Sequence, residues 1–230
     1  MPKPLTDWFS NLPKDRLIAE FSMWSADLVG LAEDTERIAP HADVLHIDVA
    51  DGHFAPALLF FPDLVARIRQ VSATPIHIHL MIADQILISQ IDQFAEAGAD
   101  LISIHCENTN AVSALEYIKS LSLKTGIVLK VDTPVERVKS FLPQLDFVTL
   151  LGTAIGVKGQ GLDPSATTRL QEAKSLIAET GRRIVLAADG GIRENTVPDL
   201  RKAGAETVVL GSLAFGAFDL ATRIAWLKAL

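Results

Sequence analysis

One stretch of the chain, residues 46–53, contains side chains whose types and spacing could do chemistry. His46 and Asp48 interrupt an apolar run over residues 44–49. Because side chains on a strand alternate between its two faces, this imidazole and this carboxylate point to the same side. Burying an unpaired carboxylate costs several kcal/mol, so the two side chains need a partner. A metal ion is the most economical partner for such a pair.

Two other predicted strands carry the same residue types. His79 lies near the end of a strand predicted over residues 76–80, and Asp189 follows one predicted over residues 184–188. The resulting set consists of His46, Asp48, His79 and Asp189. Two histidines with two carboxylates suit a divalent transition metal such as Zn, Fe, Mn or Co better than calcium. A lone inward histidine is more often a hydrogen-bonded core residue, and we interpret His77 and His105 as pocket wall or as support for the ligands.

Glycine-bearing loops follow the last three predicted strands, at residues 152–161, 190–191 and 211–212. Backbone N–H groups that converge from such loops bind anions, and Lys158 adds a positive charge. Each loop alone is equally typical of a tight turn, but three on neighbouring strands indicate a phosphate site. The residues predicted to bind the ligand here are Gly156, Lys158, Gly159, Gln160, Gly190, Gly191, Gly211 and Ser212.

The elements that position these side chains alternate along the chain. Short apolar runs predict strands over residues 17–21, 44–49, 76–80, 101–105, 126–129, 147–151, 184–188 and 207–210. Amphipathic stretches predict helices over residues 27–38, 62–70, 84–97, 110–121, 134–141, 164–179, 194–203 and 217–230. Eight such units predict a (β/α)8 TIM barrel, with an open doubly wound sheet as the structural alternative. In a barrel, the chemistry lies at the carboxyl ends of the strands.

The chain divides into an N-terminal extension, residues 1–15, and a single barrel domain, residues 16–230. The extension is rich in proline and polar residues but contains Trp8, Phe9 and Leu12, which is compatible with a short amphipathic helix. Such a segment either caps one end of the barrel or contacts another subunit.

Composition excludes several classes of partner. The net charge is −7, and no block of Lys and Arg occurs, which argues against nucleic acid or an anionic membrane as a partner. The single cysteine, Cys106, excludes an intrachain disulfide framework. No apolar run reaches the roughly 18 residues of a membrane span, and the first residues lack a signal-peptide core. We therefore expect a cytoplasmic protein.

In order and spacing, the motifs resemble those of the ribulose-phosphate 3-epimerase family. They are Ser22 with Ser25-Ala26-Asp27, His46-Ile47-Asp48-Val49-Ala50-Asp51-Gly52-His53-Phe54, His79-Leu80-Met81, Ala97-Gly98-Ala99-Asp100, Asp189-Gly190-Gly191 and Gly211-Ser212. The resemblance implies an isomerase that epimerises carbon 3 of a ketose phosphate through an enediolate, with a divalent metal and a homo-oligomeric state. It also implies that Asp48 and Asp189, besides binding the metal, form the acid/base pair. It places Ser22, His53 and Met81 against the substrate.

Departures from the family pattern bear on the substrate. Positions that usually carry Met, in an apolar cap over the reacting carbon, are Ala50 and Leu151. An Asp two residues before the third-strand ligand is replaced by His77, and an Asn after the fifth strand by Lys130. Another usual Asn, near the turn after the second strand, is Ala57. A roomier cap and an added lysine, Lys158, predict a sugar phosphate that differs from ribulose 5-phosphate.

Three other functions are compatible with such a chain. Related barrel decarboxylases carry Asp-x-Lys-x-x-Asp on the second strand, where this chain has His46 and Asp48, so the cation that quenches a carbanion is missing. A Schiff-base aldolase would use Lys130. A non-catalytic sugar-phosphate sensor would bind the ligand without reacting, although a binder has no need of two opposed aspartates.

Overall fold

Eight parallel strands close into a barrel in this computed structural model, which describes residues 2–230. The strands are β1 (Ile18–Ser22), β2 (Val44–Asp51), β4 (Ile76–Met81), β5 (Leu101–His105), β6 (Lys124–Leu129), β7 (Phe147–Leu151), β8 (Val185–Asp189) and β9 (Thr207–Leu210). β1 pairs in parallel with both β2 and β9, which closes the sheet and excludes the open alternative. A two-residue strand, β3 (Leu58–Leu59), was not predicted and pairs antiparallel with the end of β2.

Helices surround the barrel. The α-helices are α1 (Leu31–Ile38), α2 (Pro62–Val71), α3 (Asp84–Ala97), α4 (Ala111–Ser120), α5 (Ala166–Glu179), α6 (Val197–Ala203), α7 (Ser212–Phe215) and α8 (Leu220–Lys228). Short 3-10 helices occupy Met23–Ser25, Val135–Ser140 and Leu142–Gln144. The prediction of eight alternating units is confirmed. Among residues 2–230, no helix is long and apolar enough to cross a membrane.

Some predicted helix boundaries are wrong for local reasons. The helix predicted from residue 27 begins at Leu31, because the Asp27 carboxylate accepts the Val29 N–H and holds the chain in a turn. The helix predicted from residue 217 begins at Leu220, where Asp219 caps it by accepting the Thr222 N–H. The stretch predicted over residues 134–141 is 3-10 rather than α-helical.

The barrel interior changes character along its axis. At the amino ends of the strands, it is filled by apolar side chains, including Ile18, Val44 and Phe147. Nearer the carboxyl ends, the buried inward residues are polar or charged, and they include Glu20, His46 and His77. A larger apolar core lies between the outer face of the sheet and the helices. The polar residues therefore lie on rigid strands, at the end where barrels carry their chemistry.

Residues 2–15 do not form the predicted amphipathic helix. They form successive turns, in which the Trp8 N–H donates to the Leu5 carbonyl and the Leu12 N–H donates to the Phe9 carbonyl. Phe9 and Leu12 are nevertheless buried, and they pack on the first residues of several strands. Of the two roles considered for this segment, covering the amino end of the barrel is the one the contacts support.

This packing leads to a stability prediction. Phe9→Ala removes a buried ring that lies 6.2 Å from the Phe147 ring, centroid to centroid, and should lower the free energy of unfolding by about 3 kcal/mol. Leu5→Ala is the control, because Leu5 is 73% exposed, and it should change stability by less than about 0.5 kcal/mol. Urea unfolding of the two variants measures the difference. Equal stabilities would show that the segment is not part of the folded core.

Candidate active site

The four predicted ligand residues meet at the carboxyl end of the barrel. His46 and Asp48 lie on β2, His79 on β4 and Asp189 at the end of β8. One ligand atom from each residue lies within 4.8 Å of the ligand atoms of the other three. Residues more than 140 positions apart in the chain therefore form one group, as their strand positions predicted.

The spacing within this group fits a metal ion. Asp48 Oδ1 lies 3.2 Å from His46 Nε2 and 3.3 Å from His79 Nδ1. His79 Nδ1 lies 3.8 Å from Asp189 Oδ2. Four tetrahedral ligands about 2.1 Å from a metal are separated from one another by about 3.4 Å, which is close to these distances. His79 Nδ1 is also buried without a hydrogen-bond partner, as expected of an atom whose partner is an ion.

A second group of possible ligands, Glu20, His46 and His77, does not fit a metal. Glu20 Oε1 lies 2.7 Å from His46 Nδ1 and 2.6 Å from His77 Nδ1. These distances are shorter than the separation of about 3.4 Å between atoms that share a tetrahedral metal. They are the lengths of charge-assisted hydrogen bonds.

Hydrogen-bond partners contact each histidine of the first group on the side away from the other candidate ligands. The second nitrogen of His46 contacts Glu20, as above, and His79 Nε2 lies 2.9 Å from His105 Nε2. His105 Nδ1 in turn lies 3.0 Å from Glu107 Oε2. Such contacts orient a ligand ring and select its tautomer. His77, through Glu20, and His105, directly, contact the candidate ligands, and their role as support for a metal site stays a prediction.

The pKa values of the two aspartates differ because their electrostatic surroundings differ. Burial would raise the pKa of the Asp48 carboxyl, but His46 and His79 beside it hold that pKa well below its ordinary value. For Asp189, burial and the nearby Asp48 charge raise the pKa to about 6, against the effect of the two histidines. Burial disfavours a cationic His46, yet Asp48 and Glu20 flank its two nitrogens and raise its pKa well above the ordinary value. The His46 imidazole is thus stabilised in its protonated form, and the Asp48 and Asp189 carboxyl groups differ in basicity.

A cavity of about 330 Å³ opens directly above this group. Asp48, His79 and Asp189 form part of its wall, while His46 is fully buried beneath. The other predicted substrate residues on the wall are Ser22, Met81, Gly156, Lys158, Gly159, Gln160, Gly190, Gly191, Gly211 and Ser212. The volume is within the range of small-molecule sites.

His53 is the one predicted substrate residue that does not line this cavity. It is exposed in the loop after β2, where its backbone N–H donates to Asp51 Oδ1 at 2.9 Å. The same carboxylate accepts the N–H of Phe54 and, through Oδ2, that of Ala83. Asp51 therefore fixes the shape of the loop that carries His53.

Several wall residues were not foreseen from the sequence. Arg193 lies just after the Gly190-Gly191 turn and gives the mouth of the cavity a second cation. Trp24 lies opposite Lys158, whose Nζ is 2.5 Å from the Trp24 carbonyl oxygen and 4.6 Å from its ring centroid. Glu20 was also missed, although a charged residue in the middle of the apolar strand β1 is a signal that could have found it.

The departures from the family pattern occupy different places. Leu151 lies on the cavity wall, whereas Ala50 packs in a small apolar cluster with Ala55 and Met81. Lys130 lies outside the cavity lining, with its Nζ 4.0 Å from the centroid of the Phe54 ring. A cation held against an aromatic face is poorly placed to act as a Schiff-base lysine in the cavity.

A (β/α)8 barrel with two histidines and two aspartates under an anion-compatible cavity is the architecture of an enzyme. A sequence profile described as the ribulose-phosphate 3 epimerase family matches residues 18–215. Ribulose-phosphate 3-epimerase of Escherichia coli (strain K12) is 36% identical over 207 residues, which cover 88% of this chain and 90% of that protein. The Bacillus subtilis (strain 168) protein of the same name is 34% identical over 201 residues, covering 86% and 92%. The chain belongs to the ribulose-phosphate 3-epimerase family and is a carbohydrate epimerase.

Solved structures agree on the fold. A 3-hexulose-6-phosphate synthase superposes with a TM-score of 0.66 at 18% identity, covering 93% of this chain and 96% of that one. Orotidine 5'-phosphate decarboxylase from Pyrococcus horikoshii OT3 superposes with a TM-score of 0.67 at 12% identity, covering 92% and 97%. At these identities, the likeness concerns the barrel alone.

The charge state of the group predicts how metal binding depends on pH. Asp189 takes up a proton as the pH falls through about 6, and His46 keeps one well above its ordinary pKa. Zn²⁺ must displace these protons, so we expect its binding to release protons and to release more of them at about pH 5 than at about pH 7. Its affinity should therefore fall as the pH falls.

Calorimetric titration of the metal-free protein, in buffers of different ionisation enthalpy, counts the protons released. An affinity that rose on acidification would contradict the assignment of these residues as ligands.

Proposed function

We propose that this protein epimerises carbon 3 of a ketose phosphate, of the ribulose 5-phosphate type or a related sugar phosphate, with a divalent metal bound by His46, Asp48, His79 and Asp189. The observation that carries the proposal is the convergence of these four residues at the floor of the cavity. The names of the relatives, ribulose-phosphate 3-epimerases, support the choice of reaction and substrate class.

Epimerisation beside a ketone requires two acid/base groups. One removes the proton from carbon 3 to give an enediolate, and the other returns a proton to the opposite face. Asp48 on β2 and Asp189 on β8 are separated in the barrel by β1 and β9, so they approach a substrate from different sides. In one direction Asp48 would remove the proton and Asp189 would return one to the opposite face, and in the other direction the roles are reversed.

The contacts of its two carboxylate oxygens fix the orientation of the Asp48 side chain. Ser22 Oγ donates to Asp48 Oδ2 at 2.8 Å, while Oδ1 faces the two histidines. Ser22 also lines the cavity, so the same hydroxyl lies beside the bound sugar. A divalent ion in this site would act as a Lewis acid that stabilises the negative charge of the enediolate. Zn, Fe, Mn and Co all suit the donor set.

The loops after β7, β8 and β9 are proposed to bind the phosphate. Their residues form the side of the cavity that carries Gly190, Gly191, Gly211 and Ser212. Lys158 and Arg193 add two cations to the same cavity. Leu151 and these cations motivate a substrate that differs from ribulose 5-phosphate in chain length or configuration. We keep a homo-oligomeric state and a cytoplasmic location as predictions.

Exchange of the carbon 3 proton with solvent tests the reaction. Metal-replete protein in deuterated water, with four-, five- and six-carbon ketose phosphates, should incorporate deuterium at carbon 3 of at least one of them and form its epimer. Asp48→Asn and Asp189→Asn should each slow this exchange by at least about 100-fold, since each removes an acid/base group. NMR follows both processes together.

Asp63→Asn is the control, because Asp63 is exposed in the first turn of α2 and should leave the exchange unchanged. Full exchange in both active-site variants would overturn the proposed roles of Asp48 and Asp189. Binding of a ketose phosphate without any exchange in the unmodified protein would instead support the sensor function.

The contribution of the two cations is a separate prediction. Lys158→Gln and Arg193→Gln should each raise KM for the phosphorylated substrate by about 3- to 10-fold with little change in kcat, because each removes a partially screened charge. Lys202→Gln is the control, since Lys202 is exposed on α6 and outside the cavity. Steady-state kinetics of the three variants decide the question. Unchanged KM values would assign phosphate binding to the backbone N–H groups alone.

A further inference from the structure

Glu20 is a buried carboxylate that the proposed reaction does not use. It lies in the middle of β1, is fully buried, and is the only charged residue of that strand. Its Oε1 contacts His46 Nδ1 and His77 Nδ1 at 2.7 and 2.6 Å, and its Oε2 lies 3.2 Å from Thr207 Oγ1. A charge enclosed in this way costs free energy unless each contact is a good hydrogen bond.

The directions of these hydrogen bonds follow from the charge of Glu20. Contacts of 2.7 and 2.6 Å are the lengths of charge-assisted hydrogen bonds, and an ionised carboxylate only accepts. A singly protonated His77 ring therefore carries its proton on Nδ1, the nitrogen that faces Glu20. His77 therefore donates from Nδ1 to Glu20, and its Nε2 accepts from Ser103 Oγ at 2.6 Å. His77 thus donates the hydrogen bond that holds Glu20 in place, and Ser103 contacts only the far side of the His77 ring.

The same reasoning decides which nitrogen of His46 carries a proton. Nδ1 must donate to Glu20, so Nε2 is the nitrogen left for a ligand bond. Nε2 is also the atom that faces Asp48, at 3.2 Å. Residue 77 is where the family pattern has Asp, and it lies directly beside His46 in the β2–β4 register. In this chain, position 77 carries a neutral donor, and the carboxylate comes from β1 on the other side of His46.

We propose that Glu20 is the positioning residue of the metal site: it fixes His46 in the Nδ1–H tautomer, with Nε2 directed at the metal, and His77 holds Glu20 in turn. The inference rests on the proposed function, because it assumes that His46 is a ligand. It goes further by assigning a specific role to a strand residue that contacts neither the metal nor the sugar.

Metal affinity of the intact protein tests this role. Glu20→Gln keeps the shape of the side chain but removes its charge, and it should raise the dissociation constant for Zn²⁺ by about 10- to 100-fold in a chelator competition assay. Ser103→Ala is the matched control, because it removes a buried partner of His77 at the far end of the same chain of hydrogen bonds. It should lower thermal stability and leave the Zn²⁺ affinity within about threefold of the unmodified protein.

The outcomes separate the inference from the proposed function. Unchanged affinity in Glu20→Gln, or equal losses in both variants, would overturn the positioning role while the unmodified protein still bound metal and exchanged carbon 3. Absence of Zn²⁺ binding in the unmodified protein would overturn the proposed function itself.

A measurement on the unmodified protein keeps the inference testable if Glu20→Gln does not fold. Long-range proton–nitrogen NMR spectra of the Zn²⁺-loaded, histidine-labelled protein should show a proton on Nδ1 of His46 and a metal-shifted Nε2. Metal bound through Nδ1 of His46 would overturn the proposal.

Discussion

The structure of this site depends on one constraint: carboxylates enclosed in an apolar barrel must face positive charge or hydrogen-bond donors. Asp48 faces two histidines and the Ser22 hydroxyl, and Glu20 faces two imidazole donors. The negative charge of Asp189 is offset least by its surroundings, and the pKa of Asp189 is accordingly raised to about 6. A divalent cation bound among His46, Asp48, His79 and Asp189 would offset the negative charge of the two aspartates.

This constraint explains how the interior is divided. Apolar side chains fill the amino end, where Phe9 and Leu12 close the barrel, and the polar group occupies the carboxyl end. The four candidate ligands are carried by strands whose hydrogen-bonded neighbours leave little freedom, whereas the glycines and the two cations of the cavity wall lie on loops. A rigid floor with variable walls allows one reaction to serve different substrates. Lys158 is a change of that kind, whereas Ala50 and Leu151 lie on strands, and all three leave the four candidate ligand positions intact.

The ligand set was accessible from the sequence because strand geometry is simple. A period of two places His46 and Asp48 on one face, and a (β/α)8 barrel brings the strand ends of His79 and Asp189 to the same place. The position of the glycine-bearing loops on the cavity wall followed from the same rule. The segment 2–15 was misjudged because its aromatic residues are compatible with a helix, while its contacts with the barrel, not its own periodicity, decide its conformation.

His53 and Glu20 illustrate what local sequence leaves open. A sequence motif predicted that His53 contacts the substrate. The hydrogen bonds that Asp51 accepts determine the conformation of the loop that carries His53. Glu20 stands in an apolar strand, and only the side-by-side arrangement of β1, β2 and β4 brings two histidines to its carboxylate. The sequence by itself determined the strands, their inward faces and hence the four candidate metal ligands, because side-chain alternation and the order of strands along the chain are read from local sequence. Only the tertiary structure decided which buried side chains pair with one another, because partners on different strands are chosen by register and packing across the closed barrel.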